Sequence, residues 1–171
     1  MARNAEQWKQ HPKFPQSHFV GYDYHHPSVE AAKRRAVAAG VAQNTSFHVA
    51  DSVEFPGKDF GLVCHFDCLH DMGDPLSAAK HVREVLARDG AWMIVEPQAG
   101  DRLEDNLNPV GRVYYAASTM VCVPASLAHQ GPALGAQAGQ KRINALAAEA
   151  GFTRFRRATE TPFNAVYEAK R

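Results

Sequence analysis

Four short apolar runs, each closing on an acidic residue, constrain this chain more than any other feature. They are His18-Phe19-Val20-Gly21-Tyr22-Asp23, Thr45-Ser46-Phe47-His48-Val49-Ala50-Asp51, Phe60 to Phe66 followed by Asp67, and Ala91-Trp92-Met93-Ile94-Val95-Glu96. A buried strand gains nothing from a carboxylate unless it emerges at a solvent or ligand surface, so each acid marks a strand end. Helical signals lie between the runs. Pro27 suits a first turn, Val29 to Ala39 is rich in alanine and long side chains, and Gly40 stands where a helix stops. Phe55-Pro56-Gly57-Lys58 reads as a turn. Asp74-Pro75 opens a second helix; Leu76, Ala79, Val82 and Leu86 recur along one face, and Gly90 reads as its terminator. Such alternation predicts an α/β fold with a mostly parallel sheet and right-handed crossovers.

The rhythm breaks after Pro97. Residues 98–138 carry several Gly and Pro, with a helical stretch over Val110 to Val123, and a segment this long usually forms a lid or pocket wall. Gln140 to Ala150 reads as a helix stopped by Gly151. Phe152 to Ala158 and Asn164 to Ala169 read as strands, and the short turn at Thr161-Pro162 favours an antiparallel hairpin at the sheet edge. One domain over residues 1–171 is expected, with 1–17 an atypical N-terminal segment and 98–138 an insertion lining the acceptor pocket.

At 171 residues the chain can bury a real core, and a net charge of +1 offers no electrostatic reason for nucleic acid or an anionic membrane as partner. No apolar run approaches the roughly 20 residues of a bilayer span, and the polar start lacks a secretory signal. Three cysteines are an odd, sparse set, so a reducing cytoplasm is the expected location.

Ligands of open α/β sheets bind beyond the carboxyl ends of the strands. Asp23, placed there, can accept hydrogen bonds from the hydroxyls of a ribose, with Tyr24 against an adenine; the plainer alternative is a cap on the following helix. Asp51 can accept an adenine amino group while the Ser52 N–H meets a ring nitrogen, or the pair simply forms a turn. Phe66-Asp67-Cys68-Leu69-His70-Asp71-Met72 leaves the central strand, which makes His70 a candidate general base; alternatively, this loop satisfies its own backbone. Asp71 adjoins His70, but side chains of neighbouring residues diverge. Cys64-x3-Cys68 with His65 fits no familiar closed zinc site, so no metal is expected. Glu96, Tyr114 and Tyr115 are candidate substrate contacts, and Met120 and His129 share the insertion with the tyrosines; all four insertion residues read equally well as core.

The succession Phe19-Val20-Gly21-Tyr22-Asp23, Val49-Ala50-Asp51-Ser52, Phe66-Asp67-Cys68-Leu69-His70-Asp71 and Trp92-Met93-Ile94-Val95-Glu96-Pro97 resembles class I S-adenosylmethionine-dependent methyltransferases. It is most similar to a bacterial, regulator-like branch that carries an N-terminal winged helix. Asn108 to Arg112, Leu134-Gly135-Ala136-Gln137-Ala138-Gly139 and Glu160 to Asn164 strengthen the likeness. The resemblance implies a Rossmann-like, seven-stranded sheet with its last strand antiparallel. It implies S-adenosyl-L-methionine as cofactor, ribose at Asp23, adenine at Asp51-Ser52, and Phe66 and Asp67 near the methionyl end. Transfer to a small-molecule acceptor would proceed by in-line displacement, for which positioning counts most and a base is optional.

The chain departs from that pattern in lacking the first strand and its glycine-rich loop: Gly21 is the one glycine before Asp23, and it lies inside a strand. Residues 1–17, with Trp8, His11-Pro12 and Phe14-Pro15, offer at most a short helix and a link. The expectation is an N-terminally truncated, impaired enzyme. The alternative is a non-catalytic protein that binds a ligand or pairs with another subunit. A nicotinamide-dependent oxidoreductase needs the same absent loop and leaves Asp51 unexplained. A homodimer or a strand-donating partner chain is the expected protein partner.

Overall fold

The computed structural model describes residue 14 and residues 16–171. The expectations for residues 1–17 lie largely outside these. The chain divides into two compact units, one ending at Pro56 and the other spanning Gly57–Arg171, and each is described by itself.

The first unit contains β1 (Phe19–Asp23), α1 (His26–Ala38) and β2 (Thr45–Val49). The strands are parallel and in register from Phe19↔Thr45 to Asp23↔Val49. Pro27 occupies the first turn of α1, and Gly40, at φ +68°, takes the left-handed conformation that ends it. Val29, Ala36, Val41 and Phe47 form the buried cluster, with Ala32 packed against it. Gly21 interrupts an otherwise apolar strand for a steric reason: a Cβ there would stand 2.6 Å from Phe47 Cδ1. The ring of Phe47 therefore lies directly on the β1 backbone. Tyr22 stacks on Phe55 at 5.0 Å and donates its hydroxyl to Pro56 O at 2.7 Å, fastening the chain that leaves β2 back onto β1.

The second unit is built on a four-stranded sheet in the order β3-β4-β6-β5. Its strands are β3 (Phe60–Phe66), β4 (Leu86–Pro97), β5 (Arg154–Glu160) and β6 (Asn164–Lys170). β3 and β4 are parallel, whereas β6 is antiparallel to both its neighbours, β4 and β5. The terminal hairpin thus forms the sheet edge as expected, with the antiparallel strand inside and β5 outermost. The described residues contain six strands in two sheets, not the single seven-stranded sheet that the resemblance implied.

One boundary needs correction. α2 (Pro75–Val85) stops before Leu86, which already pairs with Phe60 at the start of β4. Gly90 is therefore no helix stop. It sits at a register shift in the β3–β4 ladder, where a Cβ would come 2.7 Å from Phe60 O. The helix end is instead closed by Arg171, whose guanidinium reaches the carbonyls of Arg83, Glu84 and Leu86.

Alternation along β4 buries Trp92 and Ile94, and the cross-strand partners Ala169 and Tyr167 are buried with them. Ala78, Ala79 and Val82 of α2 and Ile143 and Ala147 of α5 (Gly139–Glu149) are also fully or nearly fully buried. Each large side chain so placed contributes roughly 1.5–3 kcal/mol of transfer free energy.

The segment 98–138 is mostly helical: α3 (Pro109–Ala117), a π-helical stretch (Ser118–Cys122) and α4 (Val123–Ala128). Asn108 caps α3 by accepting from Gly111 N at 2.8 Å. Pro124 lacks the N–H that would continue α-helical bonding into the preceding turn, which accounts for the widened stretch before it.

Candidate active site

In the first unit, both strand-end acids stand at the same end of the sheet. Asp23 is paired with Val49, and Asp51 lies two residues beyond Val49, so the carboxyl ends coincide. Asp23 Oδ1 accepts from His25 N at 2.8 Å, closing the β1–α1 connection. Asp51 Oδ1 accepts from Val53 N at 3.1 Å and from Ser52 Oγ at 3.2 Å. Asp51 thus forms a turn, whereas Asp23 does not cap α1, whose N-cap is His25 with no side-chain cap bond; among the described residues each acid engages only one oxygen. Tyr24 is 72% exposed beside them. A cavity of about 250 Å³ opens alongside, lined by Gly21, Tyr22, Asp23, His25 and Phe47 among others.

In the second unit, β3 ends in a sharp change of direction. Asp67 adopts φ +47°, donates its N–H to Val95 O at 2.8 Å, and accepts from Asn164 Nδ2 at 2.9 Å. That same Asn164 amide reaches Glu96 O at 3.4 Å, locking the ends of β3, β4 and β6 together. Phe66 is half-buried at the last β3–β4 pair, opposite Val95.

The backbone then turns through Leu69–Asp71 and buries His70, which is 4% exposed. His70 Nδ1 lies 2.6 Å from Glu96 Oε2, and Glu96 Oε1 accepts from Leu69 N at 3.1 Å. Both oxygens of Glu96 are thus engaged within the chain, one facing His70 Nδ1 and one accepting from Leu69 N. Burial opposes charge on both partners. For Glu96 it dominates and raises the carboxyl pKa; for His70 it is outweighed by the Glu96 hydrogen bond and charge, with Asp71 and Asp67 adding to it, and the imidazole pKa rises. With Nδ1 turned to Glu96, Nε2 has no hydrogen-bond partner among the described residues. A neutral imidazole held in that tautomer presents a lone pair at Nε2, the arrangement a general base requires.

The insertion is fastened to this loop. Ser126, fully buried, donates to Met72 O at 2.8 Å and accepts from Ala133 N at 3.1 Å. Gly135 N donates to His70 O at 3.1 Å. The two tyrosines separate: Tyr114 donates its hydroxyl to Phe163 O at 2.6 Å and ties α3 to the β5–β6 turn, while Tyr115 is 36% exposed. His129 is exposed, with Nδ1 3.0 Å from Ala125 O, and Met120 is 78% exposed, so neither belongs to the core.

Other chemistry-bearing groups have structural explanations. His65 is buried and accepts from Trp92 Nε1 at 2.9 Å; burial lowers its pKa to about 4, so it is neutral near pH 7. Burial raises the Cys64 thiol to about 12 and that of Cys68 well above the usual thiol value.

Sequence reasoning did not find the roles of Asn164, Ser126 or the Leu69 N–H. Only the pairing of Phe66 with Val95 could have brought Glu96 alongside the His70 loop.

The profile of a family described as "Methyltransferase domain" matches residues 5–151. Among solved structures, an O-methyltransferase family protein from Burkholderia thailandensis is 17% identical with a TM-score of 0.71, over 94% of this chain and 46% of that one. An O-methyltransferase from neocarzinostatin biosynthesis, in complex with S-adenosyl-L-homocysteine and 1,4-dihydroxy-2-naphthoic acid, is 18% identical with a TM-score of 0.66, over 88% and 41%. The YcgJ protein of Bacillus subtilis is 14% identical with a TM-score of 0.65, over 91% and 83%. This chain spans less than half the length of the two O-methyltransferases, and at these identities the likeness speaks to fold alone. The profile match covers most of the sequence, and by it the chain belongs to the methyltransferase domain family.

Proposed function

We propose that this chain transfers a methyl group from S-adenosyl-L-methionine to a hydroxyl of a small acceptor, with His70 as the general base. The observation that carries this is the buried 2.6 Å contact between His70 Nδ1 and Glu96 Oε2. The residues present suit the nucleoside end of the cofactor: Asp23 keeps one carboxylate oxygen for ribose hydroxyls, Asp51 one for the adenine amino group, and Tyr24 is exposed beside them. Phe66 and Asp67, at the end of β3, are assigned to the methionyl end. When bound, the cofactor supplies an electrophilic methyl on a sulfonium whose sulfur departs as a neutral thioether.

His70 Nε2 receives the hydroxyl proton as the acceptor oxygen bonds to the methyl carbon. Glu96 holds the Nδ1–H and balances the imidazolium that forms, which makes it a positioning residue. Tyr115 faces the acceptor from the insertion, while Tyr114 shapes the wall through its bond to Phe163. On this reading residues 1–171 work as one methyltransferase-like domain, in the cytoplasm, as a homodimer or beside a strand-donating partner. No helix among the described residues is long and apolar enough to cross a membrane.

A second reading, a non-catalytic pairing subunit, draws on the strand order: among the described residues β1 pairs only with β2, and β3 only with β4. Calorimetric titration with S-adenosyl-L-homocysteine separates the two. Methyl transfer predicts binding that weakens at least about tenfold in Asp23→Ala, from loss of charge-assisted hydrogen bonds. A folded chain that binds no S-adenosyl-L-homocysteine refutes methyl transfer and favours pairing.

A further inference from the structure

Loop 133–138 follows α4 and leads into α5, and its geometry is fixed. Gly135 donates its N–H to His70 O at 3.1 Å, Ala136 donates to Ser118 Oγ at 3.0 Å, and Ala138 N closes a turn onto Gly135 O at 3.1 Å. Gln137 sits in the third position of that turn, between the buried Ala136 and Ala138. Its amide nitrogen and oxygen are both buried, and neither has a hydrogen-bond partner among the described residues.

That is an unusual state for a long, flexible polar side chain, which ordinarily places its amide in water. Among the described residues, the other buried unpartnered atoms belong to groups with another polar atom engaged. Gln98 reaches Glu160 through Nε2, and Arg171 reaches carbonyls through Nη2. Gln137 alone among them leaves a complete donor–acceptor pair unmet, in a turn bonded to the residue that carries the candidate base.

We propose that Gln137 is a specificity-determining residue of the acceptor site. Its amide hydrogen-bonds a carboxamide, or an equivalent adjacent donor and acceptor, on an aromatic acceptor whose hydroxyl faces His70. This inference rests on the methyl-transfer reading for the acceptor hydroxyl, while the amide subsite itself is tested separately. A carboxamide answers both halves of the Gln137 amide, and an acceptor lacking it leaves them desolvated and unpaired, which is a strong basis for rejection.

The probes are the three isomeric hydroxybenzamides, with phenol as the control, titrated into the full chain by calorimetry. At least one hydroxybenzamide should bind about tenfold tighter than phenol. Gln137→Met, nearly the same shape without the amide, should erase that preference. Because it removes buried unpartnered polar atoms, the variant should also melt roughly 2–4 °C higher without ligand. In the wild type, the side-chain 15NH2 resonances of Gln137 should shift with the preferred hydroxybenzamide and not with phenol; this readout needs no variant to fold.

Equal binding of hydroxybenzamides and phenol, or a preference that survives Gln137→Met, overturns the proposal. So does a lower melting temperature in the variant, which would show the amide satisfied by an ordered water. If S-adenosyl-L-homocysteine binds and the hydroxybenzamide preference is absent, only this inference fails. If the preference and the resonance shift are present without S-adenosyl-L-homocysteine binding, the subsite stands and methyl transfer fails.

Discussion

Glu96→Gln is the sharpest test of the candidate site, because it removes one charge and almost no volume. The carboxylate now accepts two hydrogen bonds, from His70 Nδ1 at 2.6 Å and Leu69 N at 3.1 Å. A glutamine can keep its oxygen on Leu69 N, but then its NH2 meets His70. His70 must answer with the Nδ1 lone pair, which moves the imidazole proton to Nε2, the atom that has to act as base. The imidazolium also loses its counter-charge. In a serine protease the same tautomer reversal, made by replacing the triad carboxylate with an amide, costs about 10⁴ in kcat. Here the loss of tautomer and counter-charge should raise the barrier by about 3–5 kcal/mol, a drop in kcat of roughly 10²–10⁴. Binding of S-adenosyl-L-homocysteine should stay within about twofold, since the nucleoside contacts are assigned to Asp23 and Asp51, outside this hydrogen-bond network. The assay is methyl transfer to a hydroxylated arene, with calorimetry for the ligand and NMR of the His70 ring for the tautomer. A variant that keeps about a third or more of the wild-type kcat, with the ring tautomer unchanged, refutes the role given to this pair.

Further outcomes follow from other parts of the structure. Gly21→Ala drives a methyl group into the Phe47 ring, 2.6 Å away, and should destabilise the chain by about 1–3 kcal/mol in denaturant unfolding; an unchanged midpoint would show that Phe47 moves aside easily. The lowered His65 pKa, about 4, means the unfolded chain binds more protons between pH 4 and 6.5, so this residue's contribution rises across that window and is lost as pH falls through about 4. The swing is about 3 kcal/mol by linkage and should vanish from the pH dependence in His65→Leu. The raised pKa of His70 acts oppositely: its stabilisation is complete below about 6.5 and is lost as pH rises through the higher folded value, so His70→Gln should flatten stability above neutrality. Ser126→Ala strands Met72 O and Ala133 N and should cost about 1–3 kcal/mol, measured by thermal unfolding.

The sequence by itself determined the alternation of strands and helices, the strand-end acids and the terminal hairpin. These are local properties: apolar runs, caps and turn residues act within a few positions of themselves. Residues that act by approach from a distant element were decided by tertiary structure. Gly90 carries the same local signature as a helix stop, and only the approach of β3 shows it to be a place where strands crowd. Glu96 reads in the sequence as a strand-end acid and candidate substrate contact, and only the β3–β4 register brings it against His70. Asp71, adjacent in sequence, adds its charge to the environment of His70, whereas a residue 26 positions away meets His70 Nδ1 across the sheet end. Strand ends are written in the chain; which strand end faces which is a consequence of packing.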